Sequence, residues 1–353
     1  MIISRTPYRI SFFGGGTDYP RWYRQNGGEV LATTIDKYCY ITCRYLPPFF
    51  EHRFRVVYSK IENCVSVDQI EHPAARETLR FLDFDRGVEI HHDGDLPARS
   101  GMGTSSSYTV GLLHALYALK GQMPEKRKLA NESIHIEQER LQETVGCQDQ
   151  VMASFGGLNH VTFPEEGEIS VKPLTLPTSR ISELDDHLVL CYTGIQRTAS
   201  SIAGDYVNDI ASKESLLRSL QDMVKEGISI LSNDQPIEQF GRLLNEAWKS
   251  KRQMGSNVTN PMVDQVYATA LDNGAIGGKL LGAGGGGFML LFVPPDEQQR
   301  LKEKLDGFIF VPFKFETSGT QIIFYEQQED FSNADQARIG QSAPVFQELS
   351  NNS

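Results

Sequence analysis

The first 60 residues of the chain carry short apolar runs, rich in β-branched and aromatic residues, that are separated by polar breaks. This pattern is typical of strands, and it predicts strands at residues 2–13, 29–46 and 53–58. A short helical pattern at 74–84 and another strand at 88–92 follow. The chain therefore begins with a strand-rich segment.

Longer helical patterns occupy the rest of the chain, with single strands between them. Helices are predicted at residues 74–84, 104–120, 124–143, 149–156, 212–231, 237–251, 261–273 and 296–305. The later strands are predicted at residues 158–163, 187–192, 288–293, 308–315 and 321–325. Strands and helices interleave without a regular β-α-β alternation, which favours an α+β fold.

The chain has 353 residues, enough for about two domains. The stretch 164–183 mixes Pro, Gly, Ser and Glu, and it is predicted to join two domains. We expect an N-terminal domain at 1–175, a C-terminal domain at 185–327 and a polar tail at 328–353.

The charge balance argues against polyanionic partners. The chain has 34 Lys and Arg against 45 Asp and Glu, a formal net charge of −11. Proteins that neutralise nucleic-acid phosphates normally carry the opposite balance, so neither nucleic acid nor an anionic membrane is an expected partner. The sequence shows no secretory signal, and its five scattered cysteines are predicted to be buried free thiols. A cytoplasmic location is expected.

The glycine- and hydroxyl-rich segment 97–107 predicts a phosphate-binding loop. Gly101 and Gly103 let the main chain approach a ligand closely, and the hydroxyl run at 104–107 opens a helix whose first N–H groups are unpaired. The segment lacks the lysine of the Walker A pattern. A flexible loop with an ordinary helix cap is the alternative, but four hydroxyls exceed what a cap requires.

Two further segments carry candidate chemistry. Residues 282–287 match the dinucleotide pattern Gly-x-Gly-x-x-Gly, but they open into a predicted strand where that pattern requires a helix. A glycine hairpin over a ligand is the preferred interpretation, and a plain surface turn is the alternative. Residues 8–19 lead from a strand into a glycine loop with Asp18, whose carboxylate would accept hydrogen bonds from sugar hydroxyls or from its own turn.

Together the segments at 7–19, 97–105 and 279–288, in this order and spacing, resemble the motifs of the GHMP kinases, over about residues 1–325. The resemblance implies a two-domain GHMP-kinase-like α+β fold with the ATP and sugar site in the cleft between the domains, and a ferredoxin-like C-terminal domain. It also implies ATP-dependent transfer of the γ-phosphoryl group to a hydroxyl of a small molecule.

The resemblance assigns two residues to catalysis. Asp149 corresponds to the family's catalytic aspartate, which would accept the proton of the attacking hydroxyl or hold that hydroxyl in line. Without the resemblance, a helix cap is an equally good interpretation of Asp149. Arg9 corresponds to a basic residue that would neutralise charge on the transferred group.

The remaining assignments concern ATP, the metal and the acceptor. ATP and its phosphates are expected to contact Pro97, Ser100, Gly101, Met102, Gly103, Thr104, Ser105 and Ser106. Mg²⁺ is expected to bind Ser105 and Glu137, with Glu139 as the alternative to Glu137. The acceptor is expected to contact Gly16, Thr17, Asp18, Arg197, Gly284 and Gly285.

The strings at 95–103 and 145–150 resemble those of the GHMP kinases that phosphorylate the anomeric hydroxyl of D-glycero-D-manno-heptose 7-phosphate. That acceptor requires a second anion site, for which Arg197 is the first candidate and Arg44 and Lys37 are others, while Arg99 would contact ATP instead. The alternatives are a fucokinase- or galactokinase-like enzyme for an unphosphorylated sugar, and a non-catalytic protein that senses sugar and ATP. The oligomeric state stays open.

Overall fold

The computed structural model describes residues 1–195, 210–233 and 235–327, with positions 329, 331, 333, 334 and 337 beyond them. The strands of these ranges are β1 Ile2–Phe13, β2 Gly28–Tyr45, β3 Phe54–Val57, β4 Ile61–Cys64, β5 Val88–Gly94, β6 Asn159–Phe163, β7 Ser170–Pro173, β8 Leu188–Tyr192, β9 Gly277–Leu280, β10 Phe288–Phe292, β11 Ile309–Val311, β12 Phe315–Glu316 and β13 Gln321–Tyr325. The helices are α1 Pro20–Asn26, α2 Pro73–Phe81, α3 Thr104–Leu119, α4 Lys126–His135, α5 Gln148–Phe155, α6 Thr178–Asp186, α7 Glu214–Ser232, α8 Glu238–Arg252, α9 Pro261–Asp272 and α10 Gln298–Lys304. A π-helical turn, Ile136–Arg140, extends α4.

The larger sheet is built around the two longest strands. β1 and β2 run antiparallel along nearly their whole length, from Ile2 opposite Cys43 to Phe13 opposite Leu31. Within the described ranges this sheet has nine strands, in the main order β13-β1-β2-β5-β3-β4, with β12 and β6 paired to β2 and β7 paired to β6. Helix α3 packs against β1 and β2, and it is buried along nearly its whole length.

The smaller sheet has four described strands in the order β11-β8-β10-β9, and all its pairs are antiparallel. Along the chain these strands alternate with α7–α9 and with α10 in a β-α-β-β-α-β succession, the arrangement of a ferredoxin-like fold. The two sheets share one core: Phe12 of β1 packs edge-to-face on Phe240 of α8, with ring centroids 5.3 Å apart.

The structure confirms the predicted strands and helices, with small shifts at their ends, except that the strand predicted at 308–315 is divided into β11 and β12. Five further elements were not predicted, because they are short and carry little periodic pattern: α1, β4, β7, α6 and β9. Two of these elements, β7 and the start of α6, occupy the predicted join at 164–183. The five cysteines are buried and free, as predicted.

The last two described strands pair with the first two. β12 pairs with β2 and β13 pairs with β1, so residues 315–325 belong by their hydrogen bonds to the larger sheet. Strand pairing over such a distance leaves no local pattern in the sequence. Most of the predicted tail at 328–353 lies outside the described residues.

In the part of the chain that the structure describes, no helix combines the length and the apolar character that a membrane span requires.

Candidate active site

A cavity of about 1070 Å³ lies where the larger sheet meets the helices and strands of the smaller one. Its walls come from the loop after β1, the loop before α3, the start of α5, the end of α8 and the turn between β9 and β10. All three segments that the sequence analysis singled out therefore meet at one cavity.

The loop before α3 presents helix N–H groups to this cavity. Gly101 and Gly103 have φ angles of 83° and 72°, and α3 begins at the next residue, Thr104. These left-handed angles favour glycine and turn the chain sharply into the helix. Thr104 accepts a hydrogen bond from Arg99 N, while Ser105 is exposed at the cavity. The unpaired N–H groups at a helix start, together with the positive end of its dipole, suit a phosphate.

The two glycine loops touch each other main chain to main chain. A Cβ added to Gly101 would lie 2.5 Å from the Leu281 carbonyl oxygen, and a Cβ on Gly287 would lie 2.2 Å from that of Ser100. Phe288 N donates a 3.1 Å hydrogen bond to the same Ser100 oxygen. A side chain at Gly101 or Gly287 would push these loops apart. Glycine at both positions therefore allows the two loops to form one continuous cavity wall.

Arg9 and Asp149 form a bidentate ion pair at the cavity. Arg9 Nε and Nη2 donate to Asp149 Oδ1 and Oδ2 over 2.7 and 2.8 Å, and Nη1 donates to the Gly101 carbonyl over 2.6 Å. Arg9 is buried, whereas the Asp149 side chain stays 28% exposed. Such a fork fixes the carboxylate in the plane of the guanidinium. One oxygen face of Asp149 remains open to the cavity.

Asp18 lies beside this pair and is itself held by main-chain donors. Gly16 N and Gln148 N donate to its two oxygens over 3.1 and 3.2 Å. Burial, followed by repulsion from Asp149, raises the pKa of Asp18. Thr17 is fully buried, and its hydroxyl donates to the Gly14 and Glu29 carbonyls. Thr17 therefore shapes the loop, while Gly16 and Asp18 line the cavity.

Glu137 lies on the π-helical turn and points into the same cavity. It is fully buried, and its Oε2 accepts hydrogen bonds from Ser106 and Gln150 over 2.9 and 2.6 Å. Its Oε1 has no described hydrogen-bond partner. Burial raises the pKa of Glu137 to about 7. Glu139 is exposed, because it faces away from the cavity on the same turn.

The orphaned Glu137 oxygen suits a hard cation. A buried carboxylate oxygen without a donor is costly unless it binds a proton or a metal. Oxygen ligands from a carboxylate and from hydroxyls are those that Mg²⁺ prefers. Ser106, rather than the predicted Ser105, contacts Glu137, while Ser105 lines the cavity one position earlier.

Several predicted site residues act through their main chain or lie elsewhere. The side chains of Ser100 and Met102 are fully buried away from the cavity, and Met102 belongs to the core. Gly284 lines the cavity, whereas Gly285 is bonded through its N–H to the Val258 carbonyl. Arg197 lies outside the described residues.

The two other cations considered for a second anion site lie away from the cavity wall. Arg44 Nε donates to Glu89 over 2.7 Å, and Lys37 Nζ donates to Asp36 over 2.8 Å. Each charge is already paired with a carboxylate.

Two lysines that the sequence analysis gave no role reach the cavity instead. Lys251, at the end of α8, and Lys279, in β9, both line its wall. Lys279 stood at the start of the third glycine segment, between glycines and leucines, which is an unusual setting for a surface lysine. Lys251 had no comparable signal, because Lys and Arg are ordinary in the last turn of a helix.

The far end of the cavity is aromatic. Tyr58, His72, His92 and Tyr108 line it, and the rings of His72 and Tyr108 lie 4.7 Å apart at 30°. Burial lowers the pKa of His72 to about 4, so this end carries no imidazolium charge at neutral pH. A flat, uncharged ring system can stack in such a setting.

Comparisons with known proteins agree with these features. Residues 70–157 match the model of the GHMP kinases N terminal domain, and residues 229–309 match that of the GHMP kinases C terminal domain. The D-glycero-alpha-D-manno-heptose 7-phosphate kinase of Campylobacter jejuni is 30% identical over 80% of this chain and 86% of its own length. A galactokinase of Roseiflexus is 23% identical over 80% of this chain and 81% of its own length.

Solved structures show the same fold. A D-glycero-D-manno-heptose 1-phosphate kinase from Bacteroides thetaiotaomicron superimposes with a TM-score of 0.76 at 22% identity, covering 93% of this chain and 100% of the other. A Lactococcus lactis galactokinase in complex with galactose gives a TM-score of 0.71 at 17% identity, covering 91% and 94%.

Proposed function

The chain belongs to the GHMP kinase family, and we propose on that premise that it phosphorylates the anomeric hydroxyl of D-glycero-D-manno-heptose 7-phosphate with ATP. Membership makes it a phosphotransferase with an alcohol acceptor. The acceptor is inferred from the Campylobacter jejuni relative, which aligns over 86% of its length. The name of that relative gives heptose 7-phosphate as its substrate. The product would be the 1,7-bisphosphate.

ATP would lie along the cavity with its phosphates at the start of α3. The N–H groups after Gly103 and the hydroxyls of Thr104 and Ser105 would contact the phosphates, while the aromatic end near His72 would hold the base. The loop at 97–103 and the start of α3 together form the phosphate seat, and the contact between the two glycine loops keeps this seat narrow.

The reaction forms a bond between the anomeric oxygen and the γ-phosphorus and breaks the bond from that phosphorus to the β–γ bridging oxygen, so that ADP leaves. Asp149 Oδ1 accepts from Arg9 and from Gln148, whereas Oδ2 accepts one hydrogen bond from Arg9 and retains capacity for another. Asp149 would therefore accept a hydrogen bond from the attacking hydroxyl, hold it in line and receive its proton. Arg9 would stabilise negative charge on the transferred group.

Mg²⁺ would bind between Glu137 and the hydroxyls of Ser105 and Ser106. The unpaired Glu137 oxygen supports this position. When bound, the ion supplies positive charge that balances the phosphates.

A coupled assay of ADP release tests the acceptor. Purified protein with MgATP should turn over heptose 7-phosphate with a kcat/KM at least about 10²-fold above those for free heptose, mannose, galactose and L-fucose. That ratio is the scale expected when a site built for a charged group meets an analogue without it. A clear preference for L-fucose or galactose would contradict the heptose phosphate and favour the alternative sugar kinases.

A further inference from the structure

Two lysine side chains that pair with no carboxylate among the described residues line the cavity. Lys279 Nζ donates to the Phe12 carbonyl over 2.8 Å, and Lys251 Nζ donates to the Leu280 and Gly282 carbonyls over 2.8 and 2.5 Å. An ammonium has three donors, so two remain on Lys279 and one on Lys251. Among the described residues, neither lysine forms an ion pair with a carboxylate.

We infer that Lys251 and Lys279 together bind the phosphate monoester that the acceptor sugar already carries. This inference rests on the proposed function and deepens it, since it assigns the second anion site that a sugar phosphate requires. Its geometric basis is that a part-buried lysine from α8 and a buried lysine from β9 both line this cavity.

The charges around the pair favour an anion. Arg9 is the third cation nearby, and its charge is already paired with Asp149. Lys279 is only 6% exposed, and a buried charge is costly unless a partner compensates it. A phosphate dianion would supply that partner and accept the three remaining N–H donors.

The position of the pair favours the acceptor over ATP. Lys279 is bonded to Phe12, two residues before the loop that carries Gly16 and Asp18. Met254, three residues after Lys251, lies 3.3 Å from where a Cβ on Gly16 would be. The pair therefore lies between the loop assigned to the sugar and the glycine loop at Gly282, and the ATP phosphates have their own donors at the start of α3.

The protonation of the pair supports the same ligand. Burial and repulsion from Arg9 lower the pKa of Lys279 to about 7, and burial with repulsion from Lys279 and Arg9 lowers that of Lys251. The empty site therefore loses a proton as pH rises above about 7. A bound dianion stabilises the charged form and restores the proton, so binding at pH 8 should take up protons.

Calorimetry on the full chain, with the nucleotide site filled by the non-hydrolysable analogue AMP-PNP and Mg²⁺, tests the inference. Inorganic phosphate and heptose 7-phosphate are titrated into the wild type and into Lys279→Met, Lys251→Met and Lys251→Arg. Each methionine variant should weaken both ligands at least about 10-fold, whereas Lys251→Arg should retain most of the affinity. Lys249→Met, an exposed lysine on the same helix, is the matched control.

Two readouts separate this role from a merely structural one. At pH 8, the wild type should show different apparent enthalpies in Tris and HEPES, reflecting proton uptake, and Lys279→Met should lose that difference. In steady-state assays, the methionine variants should raise KM for heptose 7-phosphate much more than they change kcat/KM for free heptose or KM for ATP, and Lys249→Met should change none of the three. An equal loss with both sugars would assign the pair to the transferred group and overturn the inference.

The outcomes distinguish this inference from the proposed function. If the wild type turns over heptose 7-phosphate and the variants bind phosphate as the wild type does, the inference fails and the function stands. If the wild type prefers a free sugar, the function fails, and the phosphate titrations decide on the lysine pair by themselves.

Discussion

At the scale of single residues, one side chain connects three parts of the candidate active site. Arg9 of β1 donates to both oxygens of Asp149 on α5 and to the carbonyl of Gly101 in the phosphate loop. A shift of any of these partners would move the carboxylate relative to the phosphate seat. Arg9 thus fixes the distance between the Asp149 carboxylate and the phosphate loop, which in-line transfer requires. It also contributes positive charge.

Replacement of Asp149 by Asn should separate binding from turnover. Asn keeps the size and one acceptor but loses the charge and the capacity to take the hydroxyl proton. We expect kcat to fall at least about 10²-fold while the affinity for ATP changes little. Stopped-flow or steady-state kinetics with nucleotide titrations measure both, and Asp222→Asn, an exposed acid on α7, is the control. Turnover within a few-fold of the wild type would remove Asp149 from the chemistry.

Glu137 should make the metal-free protein less stable at higher pH. Its pKa is raised by burial from 4.5 to about 7, so the folded state favours the protonated form. Below pH 4.5 the group is protonated in both folded and unfolded states, and above pH 7 it is ionised in both. The penalty therefore appears between these values and reaches about 3 kcal/mol.

Glu137→Gln removes that penalty. In urea unfolding without Mg²⁺, its stability relative to the wild type should increase by about 3 kcal/mol between pH 4.5 and 8. The exposed Glu139→Gln should show no such change. In activity assays, Glu137→Gln alone should require more Mg²⁺ for half-maximal rate. A constant stability difference across this pH range would show that Glu137 is not buried as described.

The sequence identified the candidate residues that a motif contains, and it missed those that only the fold brings together. Arg9, Asp149 and Glu137 lie in recognisable strings, and all three line the cavity. Lys279 lies in the motif segment 279–288 but had no role there, and Lys251 lies in no motif. Their positions at the cavity depend on how α8 and β9 pack. Thr17 is expected at the sugar from the resemblance alone, and the sequence does not reveal that its hydroxyl bonds to the nearby main chain.

At the scale of elements, the contact between the two glycine loops determines the shape of the phosphate seat. Phe288 N donates to the Ser100 carbonyl, and Gly101 and Gly287 allow the main chains to touch. The loop before α3 therefore depends on the hairpin between β9 and β10, although about 180 residues separate them.

Gly287→Ala should damage this contact more than a glycine substitution of equal backbone strain elsewhere. Gly287 has φ of +100° and meets the Ser100 carbonyl, whereas Gly307 has φ of +95° and open space around it. Gly307→Ala should cost about 1–2 kcal/mol of unfolding free energy from strain alone. Gly287→Ala should cost clearly more and also raise KM for ATP. Equal stability losses with unchanged KM would contradict a role of the contact in the phosphate seat.

Among the elements, those with strong periodicity were predictable and those stabilised by tertiary contacts were not. Helix α3 and strands β1 and β2 are long, and their apolar patterns are clear. Helix α6 lies in a Pro- and Gly-containing stretch, where Arg180 anchors it by a 2.8 Å hydrogen bond to the Ile230 carbonyl. The π-helical turn at 136–140 has no sequence signature of its own, yet it carries Glu137.

At the scale of the whole molecule, an acidic protein still places three basic side chains together at one cavity. The net charge is −11, but Arg9, Lys251 and Lys279 line the same wall. The overall balance argued against polyanions and did not reveal this local arrangement. The α+β class followed from the order of elements, whereas the membership of the last strands in the first sheet did not.

The last strands should be indispensable for solubility. Arg5 donates to Gln321 over 2.8 Å, and the hydroxyls of Thr6 and Thr320 lie 2.8 Å apart in the interior. A chain that ends after residue 311 loses these bonds and leaves β1 as an unpaired edge, which favours aggregation. We expect it to be insoluble on expression, whereas a chain that ends after residue 327 should stay soluble. Comparable soluble yields and urea midpoints would contradict this.

The pairing of β1 with β13 can form only late in the synthesis of the chain. Gln321 is 316 positions after Arg5, so β1 waits for its outer neighbour until nearly all described residues have been made. At roughly 5–20 residues per second, that wait is about 15–60 s, far longer than a hairpin needs to form. During this interval the main-chain groups of Ile2–Arg5 that later pair with β13 have no strand partner. The nascent chain should therefore bind chaperones that cover exposed strand edges.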